Sequence, residues 1–261
     1  MGVSDYTRRD FLKSITTATL AAMGLGTTLP VMASAAQGNQ GSSYPILHRN
    51  DVVLFQGDSI TDAGRNREDT HPNSQGGLGP GYAFLAAADL LAVEPGKSLK
   101  VFNRGISGNK VFQLAARWQE DCLALQPNIL SILVGVNDFW HTLTHGYNGT
   151  VETYEKDFRA LLDSTLETLP DVTLIIGEPY AMPEGRAVND QWFPTFYKYQ
   201  QAARRIARDY KTAFIPYQSI YDEASKRAPQ TYWTADGVHP TTAGCHLMAQ
   251  AWLSTLHSIR S

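Results

Sequence analysis

Asp51-Val52-Val53-Leu54-Phe55-Gln56-Gly57-Asp58-Ser59 is the stretch on which the fold turns. Its apolar run, Asp51 to Phe55, shows no alternation of polar and apolar residues, so it reads as a strand buried on both faces. The run ends at a Gly-Asp-Ser turn, which leaves a serine where a helix would begin.

Four more segments of the same kind follow: Leu99–Asn103, Ile129–Val134, Thr173–Gly177 and Thr212–Pro216. Between and after them lie segments of helical periodicity. These are Tyr82–Leu91, a helix running through Ala115 and Trp118 to Leu125, Val151–Leu169 stopped by Pro170, the basic amphipathic Gln200–Tyr210, and Thr242–Ile259. Apolar strands alternating with helices predict an α/β fold, a parallel sheet covered on both faces. Ligands of such sheets bind beyond the carboxyl ends of the strands. Ser59, Gly108 and Asn137 each follow a predicted strand, and so are expected to converge there.

The chain has 261 residues, 43% hydrophobic and 18% charged, with a formal net charge of −3. That balance argues against a nucleic-acid partner, since phosphate binding needs a basic excess. The N-terminus reads as an address. Thr7-Arg8-Arg9-Asp10-Phe11-Leu12-Lys13 precedes a mildly apolar stretch and then Ala33-Ser34-Ala35, small residues that fit a signal peptidase. The twin arginines resemble a twin-arginine (Tat) export signal, which implies the Tat machinery as a partner and a periplasmic or secreted destination. Five threonines, Gly24, Gly26 and Pro30 make the stretch a poor membrane anchor. The expected organisation is therefore residues 1–35 as signal, 36–50 as linker and 51–261 as a single domain. Cys122 and Cys245 form no zinc-type spacing and are expected as buried thiols, although a disulfide between them stays open.

Several chemical signatures are absent. Gly96-Lys97-Ser98 lacks the first glycine of a P-loop, Gly77, Gly79 and Gly81 miss the dinucleotide spacing, and no G-x-S-x-G elbow occurs. Four islands remain. In Gly57-Asp58-Ser59-Ile60-Thr61, the serine could present both its hydroxyl and its N–H to a pocket, or simply cap a helix. Asn103-Arg104-Gly105-Ile106-Ser107-Gly108-Asn109 offers glycines that let backbone approach a substrate. Gly135-Val136-Asn137-Asp138 places a carboxamide where it could donate to an oxyanion, or serve as a turn residue. In Asp236-Gly237-Val238-His239, an Asp three residues before a His can hold Nδ1 and leave Nε2 free for a serine.

Ser, Gly, Asn and Asp-x-x-His in this order resemble the SGNH (GDSL-like) hydrolase family, over essentially the whole of Asp51 to the C-terminus. The resemblance implies a flavodoxin-like three-layer α/β/α sandwich with a five-stranded parallel sheet. It implies Ser59 as nucleophile, His239 as general base and acid, and Asp236 as the residue orienting His239. It also implies an oxyanion hole made by the N–H groups of Ser59 and Gly108 and the Asn137 amide, with no cofactor and no metal. Gly105 is the weaker rival for the glycine role.

Arg104-Gly105-Ile106-Ser107-Gly108-Asn109 and Arg117-Trp118-Gln119-Glu120-Asp121 resemble the acetylxylan-esterase-like branch. An acetylated carbohydrate is thus the expected substrate. Asp58, Trp140 and Trp233 are the candidate substrate contacts; Trp192, Phe193, Phe196 and Tyr232 are further aromatics that could face a sugar or fill the core. Arg65, Arg67 and His71 could touch substrate or be solvated. A lysophospholipase or thioesterase is the rival within the family, and a non-catalytic carbohydrate-binding protein the rival outside it.

Overall fold

The computed structural model describes residues 43–260. The signal segment and the first part of the linker lie outside the described residues.

Five strands form one sheet: β1 (Val52–Gly57), β2 (Lys100–Asn103), β3 (Ile129–Leu133), β4 (Thr173–Gly177) and β5 (Ala213–Ile215). Their order is β2-β1-β3-β4-β5, and every pairing is parallel. All of β3 is buried, and so is all of β1 beyond Val52, as the unbroken apolar runs predict for a sheet covered on both faces. The helices are α1 (Ser59–Asp62), α2 (Tyr82–Val93), α3 (Val111–Ala116), α4 (Val136–Thr144), α5 (Val151–Thr168), α6 (Thr195–Asp209), α7 (Tyr217–Ser225) and α8 (Thr242–Ser258), with short helical turns between them.

The chain leaves β1 for β2 on one side and returns to β3 on the other. This reversal is the topological switch point, where a crevice opens beyond the strand ends. Gly57 pairs with Leu133 at that edge, which sets the residues after β1 and β3 side by side.

Beneath the sheet, Phe55 packs on Trp252 of α8 at 4.8 Å and edge-on to Tyr82 of α2 at 5.7 Å. The buried Trp252 N–H donates to Ser131 Oγ at 3.0 Å, so the large ring enters the core without an orphaned donor. A second aromatic group, Phe139, Trp192, Phe196 and Tyr199, locks α4 onto α6. Trp192 and Phe196 are 1% and 0% exposed, which removes both from the candidate sugar faces.

Three expectations need correction. The helix through Ala115 to Leu125 breaks at Arg117, whose guanidinium is held by Asn109 Oδ1, the Arg104 carbonyl and Asp121. Helices α4 and α7 were not expected. Finally, the linker does not reach residue 50, because Tyr44 and Leu47 are buried in the core and the Tyr44 N–H donates to Glu94. Cys122 and Cys245 are both buried free thiols.

Candidate active site

Ser59 opens α1 directly after β1. Asp58 caps that helix by accepting the Ile60 N–H at 3.0 Å on Oδ1. The cap leaves Ser59 half-exposed, with its Oγ 2.8 Å from His239 Nε2. Asp58 itself is 0% exposed, so it is not a substrate contact as expected: its carboxyl is committed to the cap and to the interior. Burial raises its pKa to about 7.

His239 sits on a tight loop closed by a bridge between Thr234 and Pro240 and by the Ala235 N–H donating to the His239 carbonyl at 2.7 Å. Within the loop, Asp236 Oδ1 accepts the N–H groups of Val238 and His239, and Oδ2 lies 2.8 Å from His239 Nδ1. Burial alone would raise the Asp236 pKa. The hydrogen bond from the His239 ring and the two amides outweigh it and hold the carboxyl well below the usual range. An ionised carboxylate only accepts, so the imidazole proton is fixed on Nδ1 and Nε2 is left bare toward the serine hydroxyl. The bond to Asp236 in turn raises the His239 pKa, against the opposing effect of burial. The His239 side chain remains 38% exposed, open to an incoming substrate.

The two rival glycines separate clearly. Gly105 packs against α1, where a Cβ would stand 2.5 Å from the Asp62 nitrogen, and its N–H is consumed by Asn103 Oδ1 at 2.9 Å. Gly108 has a φ of +81°, which a side chain resists, and a Cβ there would meet only His141 Cε1 at 3.7 Å. Its N–H, like that of Ser59, donates to no acceptor among the described residues. The loop between these glycines is held by Asp62, which accepts both the N–H and the hydroxyl of Ser107 and pairs with Arg67. Asn137, 3% exposed in the first turn of α4, donates one amide hydrogen to the Asn109 carbonyl at 3.3 Å. A carbonyl can only accept, so that contact fixes the carboxamide orientation and leaves one hydrogen to spare.

Around these groups, Trp140 stands between Trp192 at 5.7 Å and the His239 ring at 6.2 Å. Trp233 is engaged by its own neighbours. Its N–H donates to the Ala228 carbonyl, and its ring packs against Tyr232 and Arg227. Arg65 is buried with Nε donating to the Gly105 carbonyl, Arg67 is paired to Asp62, and the exposed His71 pairs with Asp69. All three brace loops. Lys110 and His141 were missed by the sequence reading. His141 lies four residues after Asn137, a same-face spacing visible only once α4 is recognised as a helix. A cavity of about 660 Å³ beside Leu85, Tyr232 and His246 is lined by none of Ser59, Asp236 and His239. Among the described residues no cluster of His, Cys, Asp or Glu could hold a metal ion.

The GDSL-like lipase/acylhydrolase family model matches residues 55–247, which contain every group just described. The chain belongs to that family. It is 36% identical over 205 residues to an acetylxylan esterase of Geobacillus stearothermophilus, covering 78% of this chain and 92% of that one. A candidate GDSL-like lipase of Parabacteroides merdae is 50% identical, with a TM-score of 0.79 over 80% of this chain and 97% of its own. The crystal structure of the Geobacillus acetylxylan esterase aligns with a TM-score of 0.72 at 31% identity, over 82% and 97% of the two chains. That esterase has also been solved as catalytic mutants with a serine or a histidine replaced by alanine. As a GDSL-like hydrolase with acetylxylan esterase relatives, the protein is a serine carboxylic ester hydrolase.

Proposed function

We propose that this GDSL-like hydrolase is an exported carbohydrate O-acetylesterase that works through Ser59, His239 and Asp236. The observation that carries the reading is the unbroken relay from Ser59 Oγ to His239 Nε2, and from His239 Nδ1 to Asp236, each contact 2.8 Å long.

A serine hydroxyl is a poor nucleophile at neutral pH and needs a neighbouring base. His239 Nε2 takes the hydroxyl proton as Oγ attacks the acetyl carbonyl carbon. The resulting imidazolium is stabilised by ionised Asp236. Negative charge builds on the former carbonyl oxygen, where the Ser59 and Gly108 N–H groups and the spare Asn137 hydrogen can meet it without reorganising. His239 then returns the proton to the departing sugar oxygen, leaving acetyl-Ser59 and a free sugar hydroxyl. Water, deprotonated by the same nitrogen, releases acetate and regenerates the serine.

The carbohydrate substrate is supported by the acetylxylan esterase relatives, and export by the twin-arginine segment. Among the described residues no helix is long and apolar enough to cross a membrane. Release of acetate from acetylated xylan, measured by NMR beside p-nitrophenyl acetate turnover, tests the substrate class. Ser59→Ala is expected to abolish both activities, and Asn137→Ala to lower kcat by roughly 10²–10³, the cost of one oxyanion donor. Undiminished turnover by Ser59→Ala would overturn the mechanism. Retention of the protein in the cytoplasm after Arg8→Lys with Arg9→Lys would support the export reading, and unchanged export would refute it.

A further inference from the structure

A second cluster adjoins Gly108, one of the proposed oxyanion donors. His141 Cε1 faces Gly108, and its Nδ1 lies 3.0 Å from Lys110 Nζ. An ammonium only donates, so Nδ1 is the acceptor and a neutral ring must carry its hydrogen on Nε2. Burial, with help from Lys110 and His145, lowers the His141 pKa to about 4, so the ring is neutral in the working range. No described residue accepts from Nε2.

Lys110 is only 7% exposed and makes no ion pair with a carboxylate among the described residues. Its ammonium instead lies 5.6 Å from the Phe112 ring centre and 5.1 Å from that of Tyr147. Those two rings stack at 5.8 Å and 23°. Phe112 is 45% exposed, one of four exposed large apolar side chains among the described residues, with Leu143, Tyr197 and Tyr232. Stability does not call for an exposed aromatic stack backed by a buried cation.

We propose that Phe112, Tyr147 and His141 form a binding subsite for a neutral sugar ring of the acetylated glycan, with Lys110 fixing His141 as an Nε2–H donor. This rests on the carbohydrate esterase reading above. A sugar ring offers a C–H face for a flat apolar surface and hydroxyls for an uncharged donor. A fatty acyl chain would leave the donor unused. A uronate would call for a cation facing solvent, whereas Lys110 is turned inward onto the rings and His141.

The experiment compares kcat/KM on acetylated xylo-oligosaccharides with kcat/KM on p-nitrophenyl acetate, which has no sugar. In Phe112→Ala the oligosaccharide-to-acetate ratio is expected to fall about tenfold, carried by KM, as for the loss of one aromatic contact. His141→Phe, which removes the donor, should also lower the ratio, and His141→Gln, which keeps an N–H donor, should lower it less. NMR saturation transfer to unacetylated xylo-oligosaccharide, on an otherwise inactive Ser59→Ala background, should weaken with Phe112→Ala. Oligosaccharide turnover with an unchanged ratio in both Phe112→Ala and His141→Phe overturns the subsite alone. A wild-type enzyme that hydrolyses p-nitrophenyl acetate but releases acetate from no saccharide overturns the carbohydrate reading together with the subsite.

Discussion

Two carboxyls, Asp236 and Asp58, both act electrostatically on the His239 imidazole, and their surroundings drive them in opposite directions. Asp236 receives three hydrogen bonds and is held ionised well below the usual carboxylate range. Asp58 receives one from the Ile60 amide, while its Oδ2 is buried without a partner, and burial lifts it to about 7. The same side chain thus becomes a permanent anion where donors surround it and a near-neutral acid where they do not. Asp138, the residue after Asn137, repeats the second case: its Oδ2 is also unpartnered and its pKa is raised to about 7 by burial.

The largest test of this contrast is Asp236→Asn. A neutral amide no longer fixes the imidazole proton on Nδ1, and kcat should fall by about 10⁴, as for other triads stripped of their carboxylate. Asp58→Asn keeps an oxygen for the Ile60 N–H, so steady-state kinetics should show kcat within about tenfold of wild type. A loss as deep as that of Asp236→Asn would break the comparison.

The pH profile sharpens it. His239 must be neutral to accept the serine proton, and its raised pKa places the acid limb of kcat/KM above that of an ordinary histidine. Removing the negative charge in Asp236→Asn should move that limb toward lower pH, read in the residual activity.

Stability gives the smallest effect, and its sign is opposite for the two sites. The lowered Asp236 contributes stability that is present above the unfolded carboxylate range and lost as pH falls. The raised Asp58 contributes stability that is present below that range and lost as pH climbs through about 7. Relative to wild type, Asp58→Asn should therefore gain roughly several degrees of Tm between pH 5 and pH 8, where each kcal/mol is worth about 2–4 °C. Asp236→Asn should instead lose stability relative to wild type as pH rises through the carboxylate range, a change that lies below about pH 5.

The strands were legible because a buried parallel sheet requires continuous apolar runs, and β1 to β5 fall on the expected segments. The His239 loop was legible because Asp-x-x-His carries its geometry within four residues. What escaped depended on distant partners. Helix α4 is capped by Gly135 and begins with Val-Asn-Asp, a string equally suited to a turn, and it is held in place by aromatic packing against α6. The break at Arg117 is made by Asn109 and the Arg104 carbonyl, which no local propensity reports. Gly105 and Gly108 are alike by residue type; the family resemblance favours Gly108, and the physical reason, packing of Gly105 against α1 and the Asn103 side chain that consumes its N–H, depends on distant partners. Trp233 and Trp192 were plausible sugar faces by residue type alone. The first packs beside Arg227 and the second in the core.

Labelling by an organophosphate ester tests the central relay most directly. After treatment with diethyl p-nitrophenyl phosphate, peptide mass spectrometry should find one diethylphosphoryl group, on Ser59. Labelling should slow by orders of magnitude in His239→Ala and vanish in Ser59→Ala. Inactivation that leaves Ser59 unmodified, or labelling of Ser59 at the same rate without His239, would contradict the account.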